Sequence, residues 1–521
     1  MGKASEKPMS SQLSLSVPGP GVHGQGRLSI LSWLAILAGV GLVAFLIFHS
    51  VTEAHPAPTG GEEHGPPAGY EPPPLWACLP FAGLLLCIAI LPLVSATEHW
   101  WENNKNRLSV SLVFAGLALA FYYFLQPITV DHTTHQIHTT GVDRVVGVLS
   151  HAILAEYIPF IVLLFSLYVI SGGISLRGDL VAHPGTNTAF LATGAILASF
   201  IGTTGASMLL IRPLLQTNSE RRHVTHTVIF FIFLVSNIGG CLLPIGDPPL
   251  FLGYLKGVPF LWTLGLAVPW AVTCALLLGV YLVWDTIAYR RETKPDKVRD
   301  VTETTKLSLK GKVNFLYLMG VVLCVGLVDP HKELFGLFTP FPFMRELLML
   351  GLVYLSLRTT APAIRKANDF NYHAILEVAA LFIGIFIAMQ IPIEILNAKG
   401  PELGLSKPWH FYWATGGLSA FLDNAPTYVV FFTTAESLTH SGGAGALALA
   451  DGGFVLENLL VAISLGAVFM GAMSYIGNGP NFMVKSIAEQ GGVKMPSFFG
   501  YMVYSCLILL PLFVVVTLVF V

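Results

Sequence analysis

An apolar run long enough to cross a bilayer is broken at Ser236–Tyr254, SNIGGCLLPIGDPPLFLGY, and that break constrains the chain more than any other feature. Pro244, Pro248 and Pro249 lack amide donors, and Gly239, Gly240 and Gly246 tolerate bent or extended backbone. Asp247 sits in the middle. Backbone groups freed at membrane depth need partners in protein, water or bound ion, so such a break lines a cavity. SYIGNGPNFMVK at Ser474–Lys485 repeats the theme after another long apolar run. Two interrupted helices in corresponding halves of a chain are the sequence mark of a secondary transporter's substrate site.

Only 11% of the residues are charged, against about 25% in soluble domains, and many apolar runs reach the roughly 20 residues that a bilayer requires. The expectation is an all-α polytopic membrane protein. A net charge of -2 gives no reason to expect a nucleic-acid partner. The six cysteines (Cys78, Cys87, Cys241, Cys274, Cys324, Cys506) lie scattered in apolar segments without metal-ligand spacing, as small packed residues would.

The pattern predicts about 11 spanning helices and two shorter hairpins. Residues 1–28 are polar and read as a disordered cytoplasmic tail. An extra N-terminal membrane helix follows at 29–48; its apolar run is longer than the roughly 7–15 residues of a signal-peptide core. Residues 49–74 hold no Lys or Arg and read as an external linker. Further spans are expected at 75–96, 108–126, 148–170, 224–252 (broken), 258–284, 312–329, 341–357, 372–393, 454–490 (broken) and 497–521. The apolar stretches 187–215 and 409–437, interrupted by IGTTG and FLDNAP, are read as re-entrant hairpins. With that reading about 22 of the 28 Lys and Arg fall on one side of the membrane. This places the N-terminus in the cytoplasm and the C-terminus outside.

The two halves are alike. HAILAE (His151–Glu156) and HAILE (His373–Glu377) each open the helix before a hairpin, and the order of breaks afterwards is the same. The charge-derived topology makes these halves, 75–285 and 312–521, an inverted repeat joined by a cytoplasmic linker at 286–311. Inverted repeats around a midplane site imply alternating access.

The hairpins and breaks supply the candidate site: Thr203, Thr204 and Ser207; Asp423, Asn424 and Thr427; Asn237 and Asp247; Asn478 and Asn481. This oxygen-rich set suits a hard cation, whereas helix ends aimed at one point could equally hold an anion. Ser, Thr and Asn also bond neighbouring helices inside a bundle. Asp423 is the acidic side chain expected to lie deepest, and a buried carboxylate without proton or cation is costly. Asp247 either joins the site or caps the helix after Pro248. Asp423, Asp247, Glu156 and Glu377 are the candidates for proton coupling. Arg212 would snorkel. His132, His135 and His138 form a solvated loop or, at spacing three, a zinc or pH-sensing site. No nucleotide-binding or catalytic signature is present, and the chain is not expected to be an enzyme.

Taken together, SNIGG…IGDPP and SAFLDNAPT resemble the ion transporter superfamily, within it the NhaD-type sodium/proton antiporters and the related arsenite-efflux permeases. The resemblance covers about residues 75–521, and the wider group includes citrate and dicarboxylate carriers. In the NhaD-type pattern the Asn-x-Gly-Gly segment falls on Asn237, Gly239 and Gly240, the break on Pro244–Asp247, and the hairpin tip on Asp423, Asn424 and Pro426. The resemblance implies a scaffold domain and a mobile transport domain, often in homodimers, in a bacterial inner membrane. Two features depart from it. Pro248 and Pro249 stand where Thr is usual, and Thr203–Thr204 and Asp423–Asn424 replace the Ser-Asn-Thr signatures of dicarboxylate carriers. The leading expectation is exchange of sodium or lithium for protons, with no bound cofactor. The alternatives are a citrate, dicarboxylate or other organic-anion carrier, an arsenite permease, and a non-transporting membrane scaffold.

Overall fold

The structure is a computed structural model that describes residues 41–46, 71–130, 137–302, 304–329, 332–334, 336–439, 443–450 and 452–521. The chain divides into Met1–His55 and Pro56–Val521. In the first unit the described residues 41–46 are helical, so most of the expected N-terminal helix, like His132 and His135, lies outside the described residues.

The second unit is a multi-spanning all-α membrane protein with three two-stranded ribbons. Among the described residues six helices are long and apolar enough to cross a membrane: Leu75–Leu93, Asn104–Phe124, Gly141–Ser171, Trp262–Arg290, His373–Leu403 and Phe498–Phe520. Each overlaps a span expected from the sequence. Val313–Leu327 is an apolar helix of 15 residues and Met344–Thr359, with charged residues in its first and last turns, one of 16, both short of the roughly 17–25 of a typical span.

In chain order the helices of six residues or more are α1 (Leu79–Ile90), α2 (Asn104–Phe124), α3 (Gly141–Ser171), α4 (Pro184–Ile201), α5 (Thr203–Thr217), α6 (Thr225–Leu234), α7 (Pro248–Leu255), α8 (Ala267–Arg290), α9 (Lys294–Thr302), α10 (Val313–Leu327), α11 (Met344–Thr359), α12 (Pro362–Ala367), α13 (His373–Lys399), α14 (Pro408–Ser419), α15 (Asn424–Ser437), α16 (Glu457–Met470), α17 (Gly479–Gln490) and α18 (Phe498–Phe520). The ribbons are β1–β2 (Thr129–Val130 with Ile137–His138), β3–β4 (Ser175–Asp179 with Thr305–Lys310) and β5–β6 (Ala446–Ala448 with Phe454–Leu456), all antiparallel. The element order α3–α4–α5–α6–α7–α8 recurs as α13–α14–α15–α16–α17–α18.

Lipid-facing and protein-facing helices differ as a bilayer demands. Leu112, Val113 and Leu117 on α2, Val268 and Val283 on α8, and Leu507 and Leu518 on α18 are exposed apolar side chains. In contrast, every residue from His226 to Cys241 is buried. The interrupted helix is wrapped in protein, which is where unpaired backbone can exist at membrane depth. Small residues allow the tightest crossings: a Cβ on Gly466 would lie 2.6 Å from the Tyr412 carbonyl oxygen, and one on Gly384 2.6 Å from that of Ser111.

Within α3 the residues Ser150–Tyr157 form a π-helical turn. Pro159 follows it; its ring has no amide hydrogen and crowds the carbonyl four residues back, so a widened turn relieves the helix. That turn carries His151 and Glu156.

The segments that the charge count placed on one face are physically joined. β3, after α3, pairs with β4 of the linker. Arg177 donates to the Ala367 carbonyl at 3.1 Å, the Arg222 amide donates to Glu292 at 3.2 Å, and Asn104 donates to the His373 carbonyl at 3.0 Å. On the opposite set, the Ala450 amide donates to the Gly257 carbonyl at 2.9 Å and Trp262 Nε1 to Glu457 at 3.1 Å. The linker is therefore an ordered part of this face, built from α9 and β4.

Candidate functional site

Both interrupted helices break in the same way. After α6 the chain makes a 3-10 turn at Ile238–Cys241, and after α16 one at Gly471–Met473. Each then runs to a residue in extended conformation at the start of the second half-helix: Asp247 (φ -142, ψ 141) before α7 and Asn478 (φ -152, ψ 140) before α17. Neither side chain caps its own helix. Gly246 and Gly477, one residue earlier, sit against the carbonyl oxygens of Gly240 and Gly471; a Cβ on Gly477 would come within 2.6 Å of the latter. IGDPP and IGNGP are thus one local device used twice; the equal spacing from Gly240 to Gly246 and from Gly471 to Gly477 is a further signal of it that sequence reasoning did not use.

Asp247 is the centre. It is 1% exposed. Its Oδ1 accepts from Thr203 Oγ1 at 3.0 Å and from Asn478 Nδ2 at 2.9 Å, and its Oδ2 accepts from Asn424 Nδ2 at 2.7 Å. Thr203 opens α5, Asn424 opens α15 and Asn478 precedes α17, so four helix N-termini, that of α7 included, meet on one carboxylate. The first turns of α5, α15 and α17 carry partial positive charge on amides without intrahelical partners; α7 opens on Pro248 and Pro249, which have no amide hydrogen, and contributes only its dipole. The tips of the two hairpins therefore touch through Asp247, each turning at a break: Gly202, with φ 78, where a residue with a Cβ would be strained, and the Ala420–Asp423 turn.

The remaining candidates divide. Ser207 Oγ and Ser236 Oγ are 2.9 Å apart. Asn237 Nδ2 donates to the Ile232 carbonyl at 2.8 Å and to Asn481 Oδ1 at 2.7 Å, while Asn481 Nδ2 donates to the carbonyls of Gly471 and Ser474 at 2.9 Å each. Those asparagines stitch the break of α6 to that of α16. Two amide oxygens stay without a partner among the described residues although buried, Asn237 Oδ1 and Asn424 Oδ1. A Cβ on Gly471 would lie 3.0 Å from Asn237 Oδ1 and 3.5 Å from Asn424 Nδ2, so the two amides converge over a glycine that leaves room between them. Thr427 bonds the Asp423 carbonyl along its own helix at 3.0 Å, and Thr204, partly buried, has no hydrogen bond to Asp247.

The expected depth order of the two aspartates reverses. Asp423 is only partly buried and caps α15, accepting from the Ala425 amide at 3.0 Å. With φ -57, against -142 at Asp247, its carboxylate folds back onto its own helix. Asp247 makes no capping bond and points to the shared centre.

Glu156 and Glu377 lie apart from this centre, each on a basic partner. Buried Glu156 contacts Lys256 Nζ at 2.8 Å, accepts from Gln390 Nε2 at 2.8 Å and has His151 at 3.6 Å. Lys256 directly follows α7, so this pair ties the far end of the half-helix that begins at Asp247 to the π turn of α3. Half-buried Glu377 pairs with Arg107 at 2.8 Å. His138 belongs to the short ribbon β2. All six cysteines are free, two of them buried. Among the described residues no cluster of three or more His, Cys, Asp or Glu is arranged to hold a metal ion.

Sequence reasoning missed one buried polar centre. Asp285, at the end of the apolar run of α8, is fully buried and bound by Arg221 at 2.5 and 3.1 Å, by His226 at 2.8 Å and by Asn187 at 3.2 Å. It fastens the base of the α4–α5 hairpin to α6 and α8.

Residues 71–521 match the family model CitMHS_2, Putative citrate transport. The chain belongs to this family. It is accordingly a membrane transporter, and the CitMHS family is part of a broader ion-transporter superfamily. The match spans every element of the site, from Thr203 to Asn481. No curated protein matches the chain.

Proposed function

We propose that the protein is a secondary transporter that moves citrate or a related organic anion together with a cation. The observation that carries this is the convergence of four helix N-termini on Asp247. Such a point favours negative charge without any basic side chain. The family description names citrate transport. Asp247 and Asp423 would repel a free tricarboxylate, so the anion needs a cation on those carboxylates. Asn237 Oδ1 and Asn424 Oδ1 supply further oxygen ligands for it, a donor set that suits a hard cation such as sodium. Thr204, Ser207, Thr427, Asn478 and Asn481 would complete the walls.

The parallel breaks support an inverted repeat, residues 75–285 against 312–521, with α4–α5 and α14–α15 as re-entrant hairpins. Two pseudo-equivalent half-sites sharing one cargo are what alternating access requires. The charge distribution supports a cytoplasmic position for β3–β4 and the linker, with about 11 spans; a bacterial inner membrane and a homodimer are what the resemblance implies.

A second reading, exchange of sodium or lithium for protons, is favoured by the absence of Lys, Arg or His from the groups that contact Asp247. Proteoliposomes separate the two. Labelled citrate uptake that requires a cation supports the first. Collapse of a pH gradient on sodium addition, with no citrate uptake, supports the second and rejects the first.

Glu156 would sense which way the site faces, because its ion pair holds the end of α7. Glu156→Gln is expected to shift the pH dependence of transport with little change in apparent substrate affinity, and Glu377→Gln to do so less. Profiles of both variants that overlay the parent across about pH 6–9 would leave these pairs purely structural.

A further inference from the structure

A cavity of about 320 Å³ opens between the β3–β4 ribbon, α5 and the end of α12. Arg177 of β3, Lys306 and Ser308 of β4, Arg212 and Gln216 of α5, and Asn368 line it, and no carboxylate is among its lining residues. Asp369 touches Arg212 from the solvent side at 3.4 Å and is itself largely exposed. Arg177 spends one nitrogen on the Ala367 carbonyl, and Lys306 has no partner among the described residues. Three cationic side chains thus face one hollow with hydroxyl and amide donors between them, which is the chemistry that binds phosphate oxygens.

The ribbon also indicates where the phosphate comes from. Side chains alternate along a strand, so Leu307 and Leu309 lie on the face of β4 away from Lys306 and Ser308, and both are exposed. Val298 and Val301 of the neighbouring α9 are exposed as well. An apolar surface beside a basic hollow is what an anionic lipid at a bilayer surface would meet.

We propose that this cavity is a binding site for a phosphate-bearing anion, either an acidic lipid headgroup or free phosphate. Bound there, the anion would bridge the ribbon to α5, the helix whose first residue, Thr203, holds Asp247. Arg212 is nine residues, roughly 13 Å, further along that helix. Occupancy would therefore restrain the first hairpin from outside the transport site. The proposal stands apart from the identity of the cargo.

The test is thermal unfolding of the full-length protein in neutral detergent, titrated with short-chain phosphatidylglycerol, short-chain phosphatidylcholine or inorganic phosphate. A saturable rise with phosphatidylglycerol alone is expected and marks a lipid headgroup; an equal rise with inorganic phosphate marks a soluble anion. Arg177→Ala with Lys306→Ala should weaken the apparent affinity about 30-fold, as loss of two surface charges would. Arg177→Lys with Lys306→Arg should restore it, and Lys407→Ala, an exposed charge elsewhere, should leave it unchanged. Failure of every anion to stabilise the parent overturns the proposal, as does an unchanged response in the double alanine variant.

Discussion

Asp247→Asn should abolish transport while leaving the protein folded. The carboxylate accepts three hydrogen bonds, from Thr203, Asn478 and Asn424. An amide in its place keeps one acceptor and presents two new hydrogens. Asn424 can accept one of them by turning its amide, since its own oxygen has no partner among the described residues. Shape and packing survive; the charge does not. Losing hydrogen bonds to a charged group costs about 3 kcal/mol, or about 100-fold in the binding of the coupled cation. Asp423→Asn should be milder, because an asparagine caps α15 as an aspartate does and this side chain lies toward the edge of the site. Uptake by proteoliposomes with matched amounts of folded protein checks the order. Equal loss in both variants would return Asp423 to the centre of the mechanism.

The largest effect on stability is expected at Asp285. Arg221 and Asp285 are both buried, and Asn187 and His226 saturate the carboxylate further. Truncation to alanine removes the carboxylate that holds the buried guanidinium and leaves it only the more distant Glu292 at 4.0 Å, a loss of about 3 kcal/mol. The Asp285→Ala protein should unfold at a clearly lower temperature in detergent and be recovered in lower yield. Replacing both partners, Arg221→Met with Asp285→Leu, should recover much of the loss, because a buried pair contributes little net stability over apolar packing. A single Asp285→Ala variant as stable as the parent would contradict the buried-pair account.

The sequence shows the breaks of this fold plainly because Pro, Gly, Asn and Asp have few other reasons to interrupt apolar runs at Ser236–Tyr254 and Ser474–Lys485. The meeting of both hairpins at these breaks is legible for the same reason. Which aspartate lies deeper is not. That depends on whether the residue before each helix folds its carboxylate back onto the helix, as Asp423 does, or leaves it to neighbouring elements, as Asp247 does; the two share an extended ψ and differ in φ, -57 against -142, which packing sets. The β3–β4 ribbon was half legible: Lys306, Ser308 and Lys310 alternate with Leu307 and Leu309, a strand signal inside a stretch that reads as a polar linker. Its partner at Ser175–Asp179 carries no such signal. Asp285 was hidden because an acid at the end of an apolar run looks like the edge of a membrane helix rather than the core of an ion cluster.

The central claim is that one site, built on Asp247 and four helix ends, takes an organic anion only with a cation. Equilibrium binding of labelled citrate to the purified protein, measured with and without sodium or a divalent cation, tests it most directly. The account predicts saturable binding that appears with the cation and disappears in the Asp247→Asn protein. Citrate binding that is equally tight without any added cation, or unchanged by Asp247→Asn, would contradict it.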